Sequence, residues 1–172
     1  SEHTLPSSVT TYVAMGSNIG DGAAVLSAAL GHISRCAIGD ITRSSLWLSA
    51  PLGMAEDADW FTNAVVGFET VMSEVDLLLA LQEIETTFGR PADHCRNLPR
   101  TLDLDIISYS SRVVHRDGLT LPHPRASERL FVLLPLAEVA PDYRLPGSDE
   151  PIEKLIRDAP PMAINKSEAV WG

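Results

Sequence analysis

Lysine is nearly missing from this chain: 172 residues contain two, Lys154 and Lys166, both beyond residue 150. That excludes a phosphate loop of the G-x-x-x-x-G-K-[ST] type, so a polyphosphate would have to be held by arginines, backbone amides and metal. Cysteine is equally scarce. Cys36 and Cys95 lie far apart, outside any CxxC or Cys/His metal spacing, and read as free thiols of a reducing compartment. No window approaches 18 consecutive apolar residues, so a membrane helix is not expected. The opening SEHTLPSSVT has neither a basic start nor an apolar centre. No signal peptide is expected there, and residues 1–9 read as a short disordered lead-in. Internal repeats and low-complexity tracts are also lacking.

What is present fits one domain. At 45% hydrophobic, the chain can bury a core over residues 10–160, with 161–172 as a tail. The net charge of −10 argues against nucleic acid or an anionic membrane as the main partner. The charge is uneven, however. Residues 1–89 carry eleven acids against Arg35 and Arg43, a balance of −9, and residues 130–172 balance at −3. Residues 90–129 hold seven arginines (90, 96, 100, 112, 116, 125 and 129) against five acids, giving +2, with three of the five histidines. Arginine without lysine, beside two aspartates, suits bidentate recognition of a small anion such as a phosphate. A solvated loop of mixed charge would have the same composition.

Periodicity predicts strands at 10–17, 41–50, 61–70 and 101–109, and helices at 21–34 and 74–89. Asp21 and Ser73 are the expected N-caps and Gly89 the expected end of the second helix. Leu77, Leu78, Leu81 and Ile84 form that helix's core face. Residues 112–115 suggest a short hairpin partner. Residues 122–141 mix proline turns with a helical pattern broken at Pro135, and 151–158 suggest one more short helix. The order is β-α-β-β-α-β, an α+β, ferredoxin-like plan with an antiparallel sheet, helices packed on it and a C-terminal helical and loop extension. Such a plan hosts many functions and selects none.

The chemistry concentrates in "PRTLDLDII", residues 99–107. On a strand, Asp103 and Asp105 project to one face while Leu102, Leu104 and Ile106 face the other. Two carboxylates about 6–7 Å apart along a strand fit a solvated sheet face, and beside arginines they fit Mg²⁺ and phosphate. "GSNIGDG" (16–22) lacks G-x-G-x-x-G spacing and reads as a strand-to-helix turn. His123 in "LPHPR" is held between prolines, which fixes the imidazole for binding or simply shapes a turn. Phe61 and Asn63 share a strand face and could stack on and hydrogen-bond a flat heterocycle, or be ordinary core and surface residues.

Together, "YVAMGSNIGD", "APLG…FTNAVV", "LQEIETTFGR", "PRTLDLDII", "LTLPHP" and "RLFVLLPLAEVAPD" resemble the 6-hydroxymethyl-7,8-dihydropterin pyrophosphokinase family of folate biosynthesis. The likeness runs in the family's order from Tyr12 to about Pro141. It implies an ATP:pterin diphosphotransferase that moves the terminal pyrophosphate of ATP onto the pterin hydroxymethyl group and releases AMP. It also implies a cytoplasmic monomer whose partners are small molecules. By the same resemblance Asp103 and Asp105 hold two Mg²⁺ ions, and Arg90, Arg100 and Arg129 neutralise phosphate charge. Leu78, Gln82, Glu85, Ile106, Thr120 and His123 line the ATP site. Ser49, Ala50, Leu52, Phe61, Asn63 and Phe131 form the pterin slot. Loops 53–60 and 90–98 are expected to order over bound ligands. The chain departs from the family's Trp-Gly-Pro-Arg at Asn97-Leu98-Pro99-Arg100, where Asn97 cannot stack. Ala92 and Pro124 replace a basic and an aromatic residue, with His94, Arg96 and Arg125 as candidate substitutes. Two other readings compete: a non-catalytic ligand-binding module, which leaves the aspartate pair unexplained, and a metal-dependent nuclease, which suits a more basic surface.

Overall fold

The computed structural model describes residues 7–51, 60–88 and 102–172. Strand β1 (Val9–Ser17) alternates buried Thr11, Val13, Met15 and Ser17 with Tyr12, Ala14 and Gly16 on the opposite face. Helix α1 (Gly22–Ile33) starts where Asp21 accepts the Ala24 amide at 3.2 Å, and it buries Leu26, Ala29 and Ile33. The expected second strand is two strands, β2 (Ile38–Arg43) and β3 (Trp47–Ser49). Ser44 separates them: its amide donates to Val65 O and its hydroxyl accepts from the Val65 amide, a local exchange that interrupts the ladder. Strand β4 (Phe61–Thr70) follows, then helix α2 (Glu74–Phe88), capped by Ser73 Oγ on the Asp76 amide at 3.1 Å. Beyond it lie β5 (Leu102–Tyr109) and the hairpin of β6 (Val114–Arg116) with β7 (Leu119–Leu121).

The sheet order β5-β1-β4-β3, with β2 also on β4 and every pairing antiparallel, is that of the expected ferredoxin-like core. Helices α1 and α2 cover one face, burying Val13, Met15, Val66, Leu102, Leu104 and Ile106. The extension covers the other. There α3 (Leu130–Val139) and α4 (Ile152–Asp158) pack Val132, Leu133, Leu136 and Leu155 on Val65, Ile107 and Tyr12. Helix α3 runs through Pro135 instead of breaking there. A proline in that place removes one intrahelical bond, to the Phe131 carbonyl, and the buried apolar face offsets the loss.

Two expected boundaries move. Of the expected lead-in 1–9, residues 1–6 lie outside the described residues, and Val9 is already paired with Thr70. The expected tail supplies β8 (Ile164–Lys166), an edge strand on β3. The expected lids at 53–60 and 90–98 fall outside the described residues, apart from Trp60.

Candidate active site

The site lies on the sheet face under α3, and it exists because β1 presents little side chain there. Ala14 is the register partner of Asp105. Gly16 is the partner of Asp103 on one side and Asn63 on the other. A Cβ at Gly16 would lie 3.2 Å from Asn63 Oδ1, so glycine is what lets the amide lean over β1. Above this low floor is a cavity of about 300 Å³, walled by Asp103, Asp105 and Ile107 of β5, Phe61 and Asn63 of β4, Ser49 and Ala50 of β3, and His123, Arg129 and Phe131.

Strand alternation places the carboxylates as expected. Leu102, Leu104 and Ile106 are buried in the α1/α2 core, while Asp103 is half-buried and Asp105 exposed in the cavity. Asn63 is fixed on the opposite wall, its amide nitrogen donating to Ser49 Oγ at 2.7 Å. Phe61 and Phe131 reach the same space from β4 and from the first turn of α3. The Arg129 guanidinium carbon sits 5.5 Å from the centre of the Phe131 ring, so one cation borders both the apolar slot and the carboxylates.

His123 is held by its backbone amide, which donates to Ile107 O at 2.8 Å. Its Nδ1 accepts the Arg125 amide at 3.2 Å, which leaves the proton of the neutral ring on Nε2, 3.9 Å from Asp105 Oδ1. Burial pushes this imidazole below the ordinary histidine range. Asp105 opposes that, and Arg129 and Arg125 reinforce it. The ring therefore stays neutral at pH 7.

The other expected nucleotide contacts flank the outer edge of β5. Glu85 is buried at the end of α2, and its Oε2 accepts the Leu104 amide at 2.8 Å, tying α2 to that edge. Gln82 is exposed on the same helix, Leu78 packs partly on the core, and Thr120 is half-buried on β7. The Ile106 side chain is core, so only its backbone is placed to meet a ligand. Leu52, Arg90 and Arg100 lie outside the described residues. Ala14, Gly16, Ile107, Ala126 and Val132 also line the cavity and carry no chemical signature. Ile107 alone shows a signal, since it continues the two-residue period of Asp103 and Asp105. Among the described residues no group of three or more His, Cys, Asp or Glu side chains is arranged to hold a metal. Two carboxylates opening into one cavity suit Mg²⁺, which takes one or two protein carboxylates and fills its shell with water and phosphate.

Residues 12–141 match the family model described as 7,8-dihydro-6-hydroxymethylpterin-pyrophosphokinase. A 2-amino-4-hydroxy-6-hydroxymethyldihydropteridine pyrophosphokinase of Methylorubrum extorquens is 37% identical over 158 residues, 91% of this chain and 98% of its own. The enzyme of that name from Pseudomonas aeruginosa is 43% identical over 136 residues, 78% of this chain and 83% of its own. The solved wild-type HPPK-DHPS of Plasmodium falciparum superposes with a TM-score of 0.67 at 14% identity, a likeness of fold. It covers 88% of this chain, which spans 43% of that longer one.

Proposed function

The chain belongs to the 7,8-dihydro-6-hydroxymethylpterin-pyrophosphokinase family, and on that premise we propose that its reaction runs across the cavity between Asp103/Asp105 and Phe61/Phe131. The enzyme transfers pyrophosphate from ATP to 6-hydroxymethyl-7,8-dihydropterin in folate biosynthesis, giving the pterin diphosphate and AMP. The pterin hydroxymethyl oxygen attacks the β-phosphorus, and the bond to the oxygen bridging the α- and β-phosphates breaks as AMP leaves. Positioning and charge neutralisation carry most of such a step.

In this reading the pterin ring lies between Phe61 and Phe131, with Asn63, Ser49, Ala50 and Leu52 around its edge. ATP lies along the outer edge of β5, against Leu78, Gln82, Glu85, the Ile106 backbone, Thr120 and His123. Asp103 and Asp105 sit between the two substrates and hold two Mg²⁺ ions. The metal, when bound, supplies positive charge against the triphosphate. Arg129 faces that charge from the α3 side, and Arg90 and Arg100 are assigned the same task. Neutral His123 can donate from Nε2 without repelling the arginines. The supporting observation is that the carboxylate pair and the aromatic pair open into one cavity.

An assay of ATP and hydroxymethyl-dihydropterin with and without Mg²⁺ tests this. AMP is the expected nucleotide product, and only with the metal. Release of ADP, or equal turnover in EDTA, overturns it.

A further inference from the structure

The wall of the slot on β3 is short, three residues long, and Ser49 at its end is the hydroxyl that orients Asn63. A side chain outside the cavity links that wall to α3. Glu138 lies seven residues after Phe131, two turns along α3 and therefore on the same side of the helix. Its Oε1 accepts Trp47 Nε1 at 2.7 Å and the Ser45 amide at 3.1 Å, and its Oε2 accepts the Ser45 hydroxyl at 2.7 Å. Lys166, the register partner of Trp47 on β8, brings Nζ to 3.6 Å from Oε2 and lies 5.4 Å from the Trp47 ring centre. Trp47 and Ser49 point to the same face, two residues apart. One carboxylate thus reaches from the helix bearing Phe131 to the strand bearing Ser49, with both of its oxygens engaged by groups on or beside β3 and β8.

We propose that Glu138 is a positioning residue for the pterin: it sets the separation between the Phe131 wall and the Ser49–Asn63 wall without touching the substrate. The assignment rests on the reading of the cavity given above. It acts on one substrate. Of the residues assigned to ATP, Leu78, Gln82, Glu85, Ile106 and Thr120 stand on α2, β5 and β7, none of which carries this network; His123 follows β7, and Arg129 lies at the start of α3, two residues before Phe131. Loosening the network should widen the aromatic slot and leave the nucleotide edge in place.

The test is steady-state kinetics with each substrate varied in turn at saturation of the other. Glu138→Gln keeps the size of the side chain but turns one acceptor oxygen into a donor facing Ser45 and Lys166. Trp47→Phe keeps a ring and removes one bond. Each should raise the KM for the pterin by about tenfold, the weight of one charge-assisted bond, while kcat and the KM for ATP stay within about twofold. The double variant should be worse than either single but by less than the product of the two, because both bonds run through one carboxylate. An unchanged pterin KM in both singles, or an equal rise for both substrates, overturns the proposal. Wild-type enzyme assayed alongside separates the two levels. If it forms no AMP from the pterin, the reading of the cavity fails; if it does and the variants match it, only the role of Glu138 fails.

Discussion

Asp103 and Asp105 stand on a strand whose other side is wholly core, so their carboxylates can be removed without opening the α1/α2 interior. Asp103→Ala and Asp105→Ala should each lower kcat by orders of magnitude, about 10³-fold or more for a lost metal-holding group, with urea midpoints near that of the wild type. Full activity in both variants would refute the metal assignment. Glu138 gives a second, pH-dependent expectation. Burial alone would raise its pKa, but bonds from Trp47 and Ser45 and the charge of Lys166 together hold it below the ordinary value of 4.5. The ionised form is thus favoured in the folded state. Its stabilisation is complete above pH 4.5 and is lost as pH falls through the lower folded value. Urea midpoints of wild type and Glu138→Gln should therefore converge below pH 4.5, and a gap constant from pH 7 to 3 would sink the idea. The aspartates, Phe61, Asn63 and His123 were legible in the sequence because alternation or flanking proline constrains where they point. Ala14, Gly16 and Glu138 were not, since their placement comes from cross-strand register and from contacts 91 to 93 residues apart in the chain.

The central pairing of β1 with β4 is held by an aromatic lying across a glycine. Tyr12 and Gly67 are register partners, and a Cβ on Gly67 would meet Tyr12 Cε1 at 2.7 Å. The ring cannot simply lift away, because Tyr143 packs edge-on against it with centroids 5.7 Å apart. Gly67→Ala should cost about 1–3 kcal/mol by overpacking, and much less in a Tyr12→Ala background. Equal costs in both backgrounds, measured by urea unfolding, would show that the ring is not the obstacle. Long periodic segments such as α2 and β4 were legible from their apolar spacing alone. The division of 41–50 into β2 and β3 was not, because the break is made by Ser44 bonding Val65, a partner on another strand. Pro135 misled in the opposite direction: the local penalty of a proline is visible in sequence, and the sheet face that outweighs it is not.

Residues 163–172 pack back onto β3, Ser44 and α1, beside a slot that none of them lines. Strand β8 pairs with the whole of β3, from Trp47 opposite Lys166 to Ser49 opposite Ile164. Around that ladder, the Ala50 amide donates to Ala163 O at 3.0 Å and the Ser167 amide to Leu46 O at 2.8 Å. Trp171 Nε1 donates to Ser44 O at 2.8 Å while its ring stacks under Arg43, and the Gly172 amide reaches Ser27 Oγ of α1 at 2.8 Å. Three residues reading Ile-Asn-Lys carry no strand period of their own, so this edge is specified by its pairing with β3. Ending the chain after Pro161 removes the β8 ladder and leaves β3 its pairing with β4 and its link to α3 through Glu138. That change should cost roughly 2–4 kcal/mol, from several net hydrogen bonds of modest individual weight. It should also raise the KM for the pterin more than that for ATP, whose proposed contacts lie across the sheet on β5. Melting and two-substrate kinetics on the shortened chain decide it. A shortened enzyme with both KM values intact would show that β3 keeps its place without the outer strand.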